Sequence, residues 1–336
     1  MTRYSPFLLL IICAGLVFSA GCISNDADTF SVGLVVDERS ADDPFNSQAV
    51  NAFAQLRDEG YLTYIENTDS EDEVVSAFAS LAEKNPDLIV GIGYTVEQAF
   101  SNAAMGNPEL RFLSIDMDYE DLPENVANVK FRGEEHSFLA GYLAGMMTKT
   151  HCVGVITGMD IESTRHFVYG YKAGVEYAAE ERGEDITVLL DDAGSFYDPE
   201  KGRLLALAQY GNGADIVFNV AGNTGLGVIG AANETDMYVI GTDVDQKYLA
   251  PDNVLASATK SIGQTLGLVI SGYADGTDIS GQVMTLGLKE GCLALEGFGD
   301  SVPSDLQSKI TGIENRIISR EIVPPVSADE FSVWSP

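Results

Sequence analysis

Short β-branched runs alternate with longer segments of helical spacing along almost the whole chain, and this alternation constrains the fold more than any other feature. Strands are predicted over 30–36, 61–66, 88–91, 111–115, 127–131, 153–157, 186–190, 216–220, 237–241 and 254–258. Amphipathic stretches lie between them at 47–59, 71–83, 134–148, 163–181, 199–210 and 226–233. A strand that is followed by a helix returns to its sheet in parallel, so both sheet faces are covered by helices. About five such units precede residue 131 and five follow it. The pattern therefore predicts an α/β chain of two similar lobes, in keeping with its 336 residues.

In open sheets of this kind ligands sit beyond the carboxyl ends of the strands, so the residues just past each strand are the ones to read for a site. Those residues are Asp37, Tyr94, Asp116, Gly222 with Asn223, Asp243 and Lys260. They suit a neutral, polyhydroxylated ligand with a flat ring. Carboxylates accept hydrogen bonds from hydroxyls, an ammonium donates them, and an aromatic face stacks on the ring. Net charge removes another class of partner. With 51 acidic against 19 basic residues the chain carries −32, which repels phosphate backbones and argues against nucleic acid.

The N-terminus reads as an address. Arg3 is followed by an apolar run over 7–18, too short to span a bilayer, and then by Ser19, Ala20 and Gly21 ahead of Cys22. Small residues before a cysteine resemble a lipobox, with Ser19 where leucine is usual. The expectation is a signal peptide over 1–21, lipidation of Cys22 and a polar tether over 22–29; plain signal cleavage and an uncleaved anchor are the alternatives. All three put the folded part outside the cytoplasm. Cys152 and Cys292 then remain, either as a disulfide or as two buried free thiols.

Catalytic groups are scarce. His136, His151 and His166 are scattered with no pair at metal-ligand spacing, and neither a nucleophile elbow nor a P-loop occurs, so the expectation is no metal, no cofactor and no enzyme. One rival stands out. Gly225, Gly227 and Gly230 fit Gly-x-Gly-x-x-Gly after a predicted strand, with Asp243 and Asp245 roughly twenty residues on, which is the dinucleotide-binding fingerprint in its proper context. The other reading of these glycines is close packing of a helix on its strand.

Five ordered motifs resemble the basic membrane protein family of substrate-binding lipoproteins, of the purine nucleoside receptor type. They are Ser137-Phe138-Leu139-Ala140-Gly141, Gly194-Ser195-Phe196-Tyr197-Asp198-Pro199, Ala221-Gly222-Asn223-Thr224-Gly225, Gly241-Thr242-Asp243-Val244-Asp245-Gln246, and Gly287-Leu288-Lys289-Glu290-Gly291. The resemblance implies a periplasmic-binding-protein type I fold, with two doubly wound parallel-sheet lobes joined by a hinge and closing on a ligand. It implies lobes over 30–130 with 259–282 and over 131–258 with 283–336. It also implies delivery of a purine nucleoside to the permease of an ABC-type importer from a lipid anchor on the membrane. A ligand-sensing lipoprotein and a binder of riboflavin or another ring-bearing ligand are the alternatives.

Carried over position by position, Asp37 ends the first strand, Phe45 and Asn46 match the family's Ser-Phe-Asn, and Asn46 contacts base or ribose. Asp116 takes the base edge, Phe196 and Phe218 are the stacking rings, and Asp243 with Lys260 takes the ribose hydroxyls. The departures fall in the first lobe. The family's Asp-x-Gly-Gly is Asp37-Glu38-Arg39-Ser40, Pro44 replaces serine, and Gly-Phe is Gly93-Tyr94.

Overall fold

A computed structural model describes residues 29–37, 44–68, 70–119 and 121–336. The expected signal peptide, the lipidated Cys22 and the 38–40 departures lie outside the described residues. The first sheet contains β1 (Ser31–Asp37), β2 (Leu62–Thr68), β3 (Leu88–Ile92), β4 (Phe112–Ile115), β5 (Val126–Phe131) and β11 (Val283–Leu286). Its order is β11-β5-β4-β3-β1-β2, with every pairing parallel. The second contains β6 (Cys152–Thr157), β7 (Thr187–Asp192), β8 (Ile216–Val220), β9 (Tyr238–Asp243), β10 (Val254–Lys260) and β12 (Leu293–Glu296). Its order, β12-β10-β9-β8-β6-β7, repeats the first position for position, and β12 alone runs antiparallel.

Continuous apolar runs explain the central strands. All five residues of β3 and all five of β8 are buried, as strands covered on both faces must be. Around the first sheet lie α1 (Pro44–Asp58), α2 (Glu71–Lys84), α3 (Glu97–Gly106) and α8 (Ile262–Ala274). The second carries α4 (Gly133–Met147), α5 (Glu162–Arg182), α6 (Pro199–Gly211), α7 (Thr224–Thr235), α9 (Ser304–Ile318) and the short α10 (Ala328–Val333). The α4–α5 pair is fitted backbone to backbone. A Cβ on Gly141 would stand 2.0 Å from the Tyr171 carbonyl, and one on Gly174 would stand 2.0 Å from that of Phe138. The Ser-Phe-Leu-Ala-Gly motif is thus a packing signature.

The chain crosses between lobes after β5, after β10 and after β11. Arg132 N donates to the Leu286 carbonyl at 2.8 Å, Ser261 N to the Cys292 carbonyl at 2.8 Å, and Leu288 N to Glu135 Oε2 at 2.9 Å, binding the three crossings into one hinge. Two expected boundaries shift. Residues 259–260 complete β10 in the second sheet, and 283–286 form β11 in the first, because the chain adds one more strand before it returns. Neither β11 nor β12 was legible, each being four residues long and flanked by glycine.

The possible disulfide is corrected: Cys152 and Cys292 are both free thiols. Cys152 opens β6 at the amino end of its sheet, whereas Cys292 precedes β12, whose Leu293 pairs with Lys260 at the carboxyl end of β10. With β10, β9 and β8 between β12 and β6, strands spaced about 4.8 Å apart keep the sulfurs far beyond bonding reach.

Candidate functional site

The carboxyl ends of both sheets face one cleft, with about 690 Å³ of empty space when its open mouth is included. From the first lobe come Phe45 and Asn46 at the start of α1, Gly93 and Tyr94 after β3, and Asp116 after β4. From the second come Thr164 and Phe167 on α5, Phe196 and Tyr197 ahead of α6, Gly222 after β8, Asp243 ending β9 and Lys260 ending β10.

The backbone at these ends is unusual in matched pairs. Gly93 and Gly222 follow equivalent strands with φ of 75° and 53°. Asp116 and Asp243 follow the next pair with φ of 58° and 66°. Residues other than glycine seldom adopt this left-handed region, and those that do concentrate at binding sites.

Lys260 is the electrostatic centre. Its Nζ lies 2.5 Å from Asp116 Oδ2 across the cleft, and the side chains are 5% and 10% exposed. The ammonium also lies 5.4, 5.5 and 5.0 Å from the ring centres of Phe45, Phe131 and Phe167, a cation held against three π faces. Behind it, buried His136 places Nδ1 2.8 Å from the Gly133 carbonyl and its ring against Phe167. Burial, and then the Lys260 charge, push the His136 pKa down to about 3, so the imidazole is neutral. Two further bonds cross the lobes. Tyr197 hydroxyl donates to Asp37 Oδ2 at 3.2 Å, and Gln48 Nε2 donates to the Asp243 carbonyl at 3.2 Å while its Oε1 accepts from Ile262 N.

Of the residues read from sequence, Phe45, Asn46, Tyr94, Asp116, Phe196, Gly222, Asp243 and Lys260 line this cleft. Asp37, 2% exposed, reaches it through Tyr197. Phe218 is corrected from stacking ring to core. It is fully buried in mid β8 and stacks on Tyr171 with centres 5.2 Å apart, one layer behind the wall. Asn223 is not among the residues that line the cleft; it stands next to Gly222 at the N-cap position of α7, where its side chain makes no capping bond. Phe167, Thr164 and Tyr197 were missed. Applying the strand-end rule to β6 leads into 158–164, and Phe167 lies one helical turn beyond.

The glycine fingerprint is resolved by packing. A Cβ on Gly227 would stand 1.7 Å from the Pro199 carbonyl, and one on Gly225 would stand 1.9 Å from Asn219 Oδ1, so these glycines seat α7 against α6 and β8. Among the described residues no group of three or more His, Cys, Asp or Glu is placed to hold a metal ion.

Residues 29–328 match the family model of PnrA-like ABC transporter substrate-binding proteins. The chain belongs to this family. It is similar to basic membrane protein A1 of Borrelia garinii subsp. bavariensis, 33% identical over 97% of this chain and 98% of that one. Basic membrane protein D of Borreliella burgdorferi is 34% identical over 89% and 88%. Among solved structures, an ABC transporter solute-binding protein from Aeropyrum pernix K1 superposes with a TM-score of 0.78 at 23% identity, covering 90% of this chain and 96% of that one. A transcriptional activator of the comK gene from Bacillus halodurans gives 0.74 at 20%, covering 88% and 100%. These last two share the fold, the type I periplasmic-binding architecture. The PnrA-like family is one of solute-binding proteins that serve a permease, not a family of enzymes.

Proposed function

We propose that this PnrA-like chain is a lipid-anchored, extracytoplasmic receptor that captures a purine nucleoside in its cleft and hands it to the permease of an ABC importer. The observation that carries the reading is the grouping of an oriented cation with aromatic rings and carboxylates. Lys260 is fixed by Asp116 among Phe45 and Phe167, with Phe196 and Asp243 in the same cleft. A purine is a flat ring that gains from stacking on aromatic faces, and its ribose diol needs both acceptors and donors. An ammonium has three donors, of which Asp116 uses one, so Lys260 can also serve a hydroxyl beside the Asp243 carboxylate. Asp116 would take the base edge, with Asn46 reading base or ribose. Delivery then follows from opening and closing of the lobes about the hinge.

The test is thermal unfolding of the chain against inosine, guanosine, adenosine, their free bases, ribose, riboflavin and NAD. A ligand at 100 times its dissociation constant stabilises by about 2.7 kcal/mol. The expected result is an upward shift with purine nucleosides and none with ribose. Silence from nucleosides with a shift for riboflavin or NAD would overturn the nucleoside assignment.

A further inference from the structure

One more cross-lobe contact lies at the rim, outside the residues that line the cleft. Lys130, on β5 of the first lobe, places Nζ 2.6 Å from Asp118 Oδ1 of its own lobe and 2.7 Å from Glu162 Oε1, the first residue of α5 in the second lobe. Glu97 of the first lobe joins the group, its Oε2 accepting from Asp118 N at 3.2 Å. Two carboxylates therefore share one ammonium, one of them from the opposite lobe, and Glu97 stands beside them as a third negative charge. Burial works against the Lys130 charge, and the bonds from Asp118 and Glu162 outweigh it, so the Lys130 pKa is raised. Glu162 is followed directly by Ser163 and Thr164, which line the cleft, so whatever fixes Glu162 also fixes the start of α5 against the ligand.

We propose that Lys130 is an electrostatic latch that sets the opening and closing equilibrium of the two lobes, and through it ligand affinity, without touching the ligand. Its sign comes from counting charges across the rim. With Lys130 present, closure brings Glu162 to a cation that Asp118 already holds near neutrality. Without it, closure brings Glu162 against Asp118 and Glu97, and like charges at this range repel. Removing Lys130 therefore does more than delete a half-exposed ion pair, whose worth alone is modest. It converts an attraction into a repulsion that acts only in the closed form. Lys130 is thus a positioning residue, and the latch holds whether the bound molecule is a nucleoside or another solute.

The experiment compares Lys130→Gln, Glu162→Gln and the double variant in the full chain. Fluorophores at exposed Met105 of α3 and Leu204 of α6 report lobe separation by energy transfer, with no ligand present. Inosine affinity is the second readout, and the melting temperature checks folding. The latch requires Lys130→Gln to shift the empty protein toward the open separation and to weaken inosine roughly three- to tenfold. Glu162→Gln alone should be mild, and the double variant should return close to it, because neutralising Glu162 removes the repulsion. Unchanged lobe separation in Lys130→Gln, or no recovery in the double variant, overturns the latch. If Lys130→Gln fails to fold, the charge-exchanged K130E/E162K pair decides: restored closure supports the latch, and an open protein refutes it. Failure of inosine to bind any form, with the separation pattern intact, counts against the nucleoside reading and leaves the latch standing.

Discussion

The two cleft walls are built on the same frame and furnished differently. Strand for strand the lobes repeat one order, and each places a left-handed glycine after its third strand and a left-handed aspartate after its fourth. At the fifth the repeat diverges: β5 ends in Phe131 and β10 ends in Lys260, and these two side chains meet, ammonium over ring, in the same box. The repeated backbone fixes where side chains arrive, and the side chains themselves are complementary, a carboxylate facing an ammonium and a ring facing a cation. A duplicated fold in this way makes a site that neither half could make alone.

The largest test separates the core behind the second wall from the wall itself. Phe218→Ala should cost about 3–5 kcal/mol of stability by opening a cavity between Tyr171 and Phe167, with ligand affinity of the folded fraction little changed. Phe167→Ala should instead weaken ligand binding as well, because that ring lines the cleft. Calorimetric unfolding beside a binding titration distinguishes them, and a binding loss in Phe218→Ala with full stability would return Phe218 to the site.

Next in size is the pair that joins the walls. Lys260→Met should destabilise by about 3 kcal/mol by leaving Asp116 as an uncompensated buried charge, and adding Asp116→Asn should recover most of it. Equal losses in the single and double variants, read by denaturant unfolding, would show that the walls are not coupled through this pair.

The smallest effect distinguishes the walls by pH. His136 sits behind the second wall with a pKa of about 3 in the fold, against an ordinary value near 6.5 when unfolded. In this interval the unfolded chain binds the proton that the folded one excludes, so stability is present above pH 6.5 and is lost as pH falls toward 3. The slope approaches about 1.4 kcal/mol per pH unit for this one proton. His136→Gln should flatten that slope in unfolding free energy measured between pH 6.5 and 4.5. An unaltered slope would mean that other groups carry it.

Most of the frame was legible in the chain. Parallel strands buried on both faces must be continuous apolar runs, so β8 matches its sequence reading to the residue, and nine other strands lie within two residues of theirs. The strand-end rule found Asp116, Asp243 and Lys260 because it depends on topology alone. Among the helices that escaped are α3, α8 and the short α10; α8 does bury one face at helical spacing, through Ile262, Leu266, Val269, Ile270 and Tyr273, so its period was there to be read.

What the chain could not disclose by itself is which side of a strand or helix a residue faces once two lobes meet. Phe196 and Phe218 look alike in sequence, yet one faces the cleft and the other is sealed against Tyr171. Gly225 and Gly227 spell a phosphate-binding motif, and three-dimensional packing assigns them to a helix seat. Periodicity and strand ends are local properties, written residue by residue. The Lys260–Asp116 pair, 144 positions apart, and the two thiols at opposite ends of one sheet depend on how distant segments are brought together. Contacts at such separations come from the pairing of whole strands and the closing of one lobe on the other, which no short window of sequence contains.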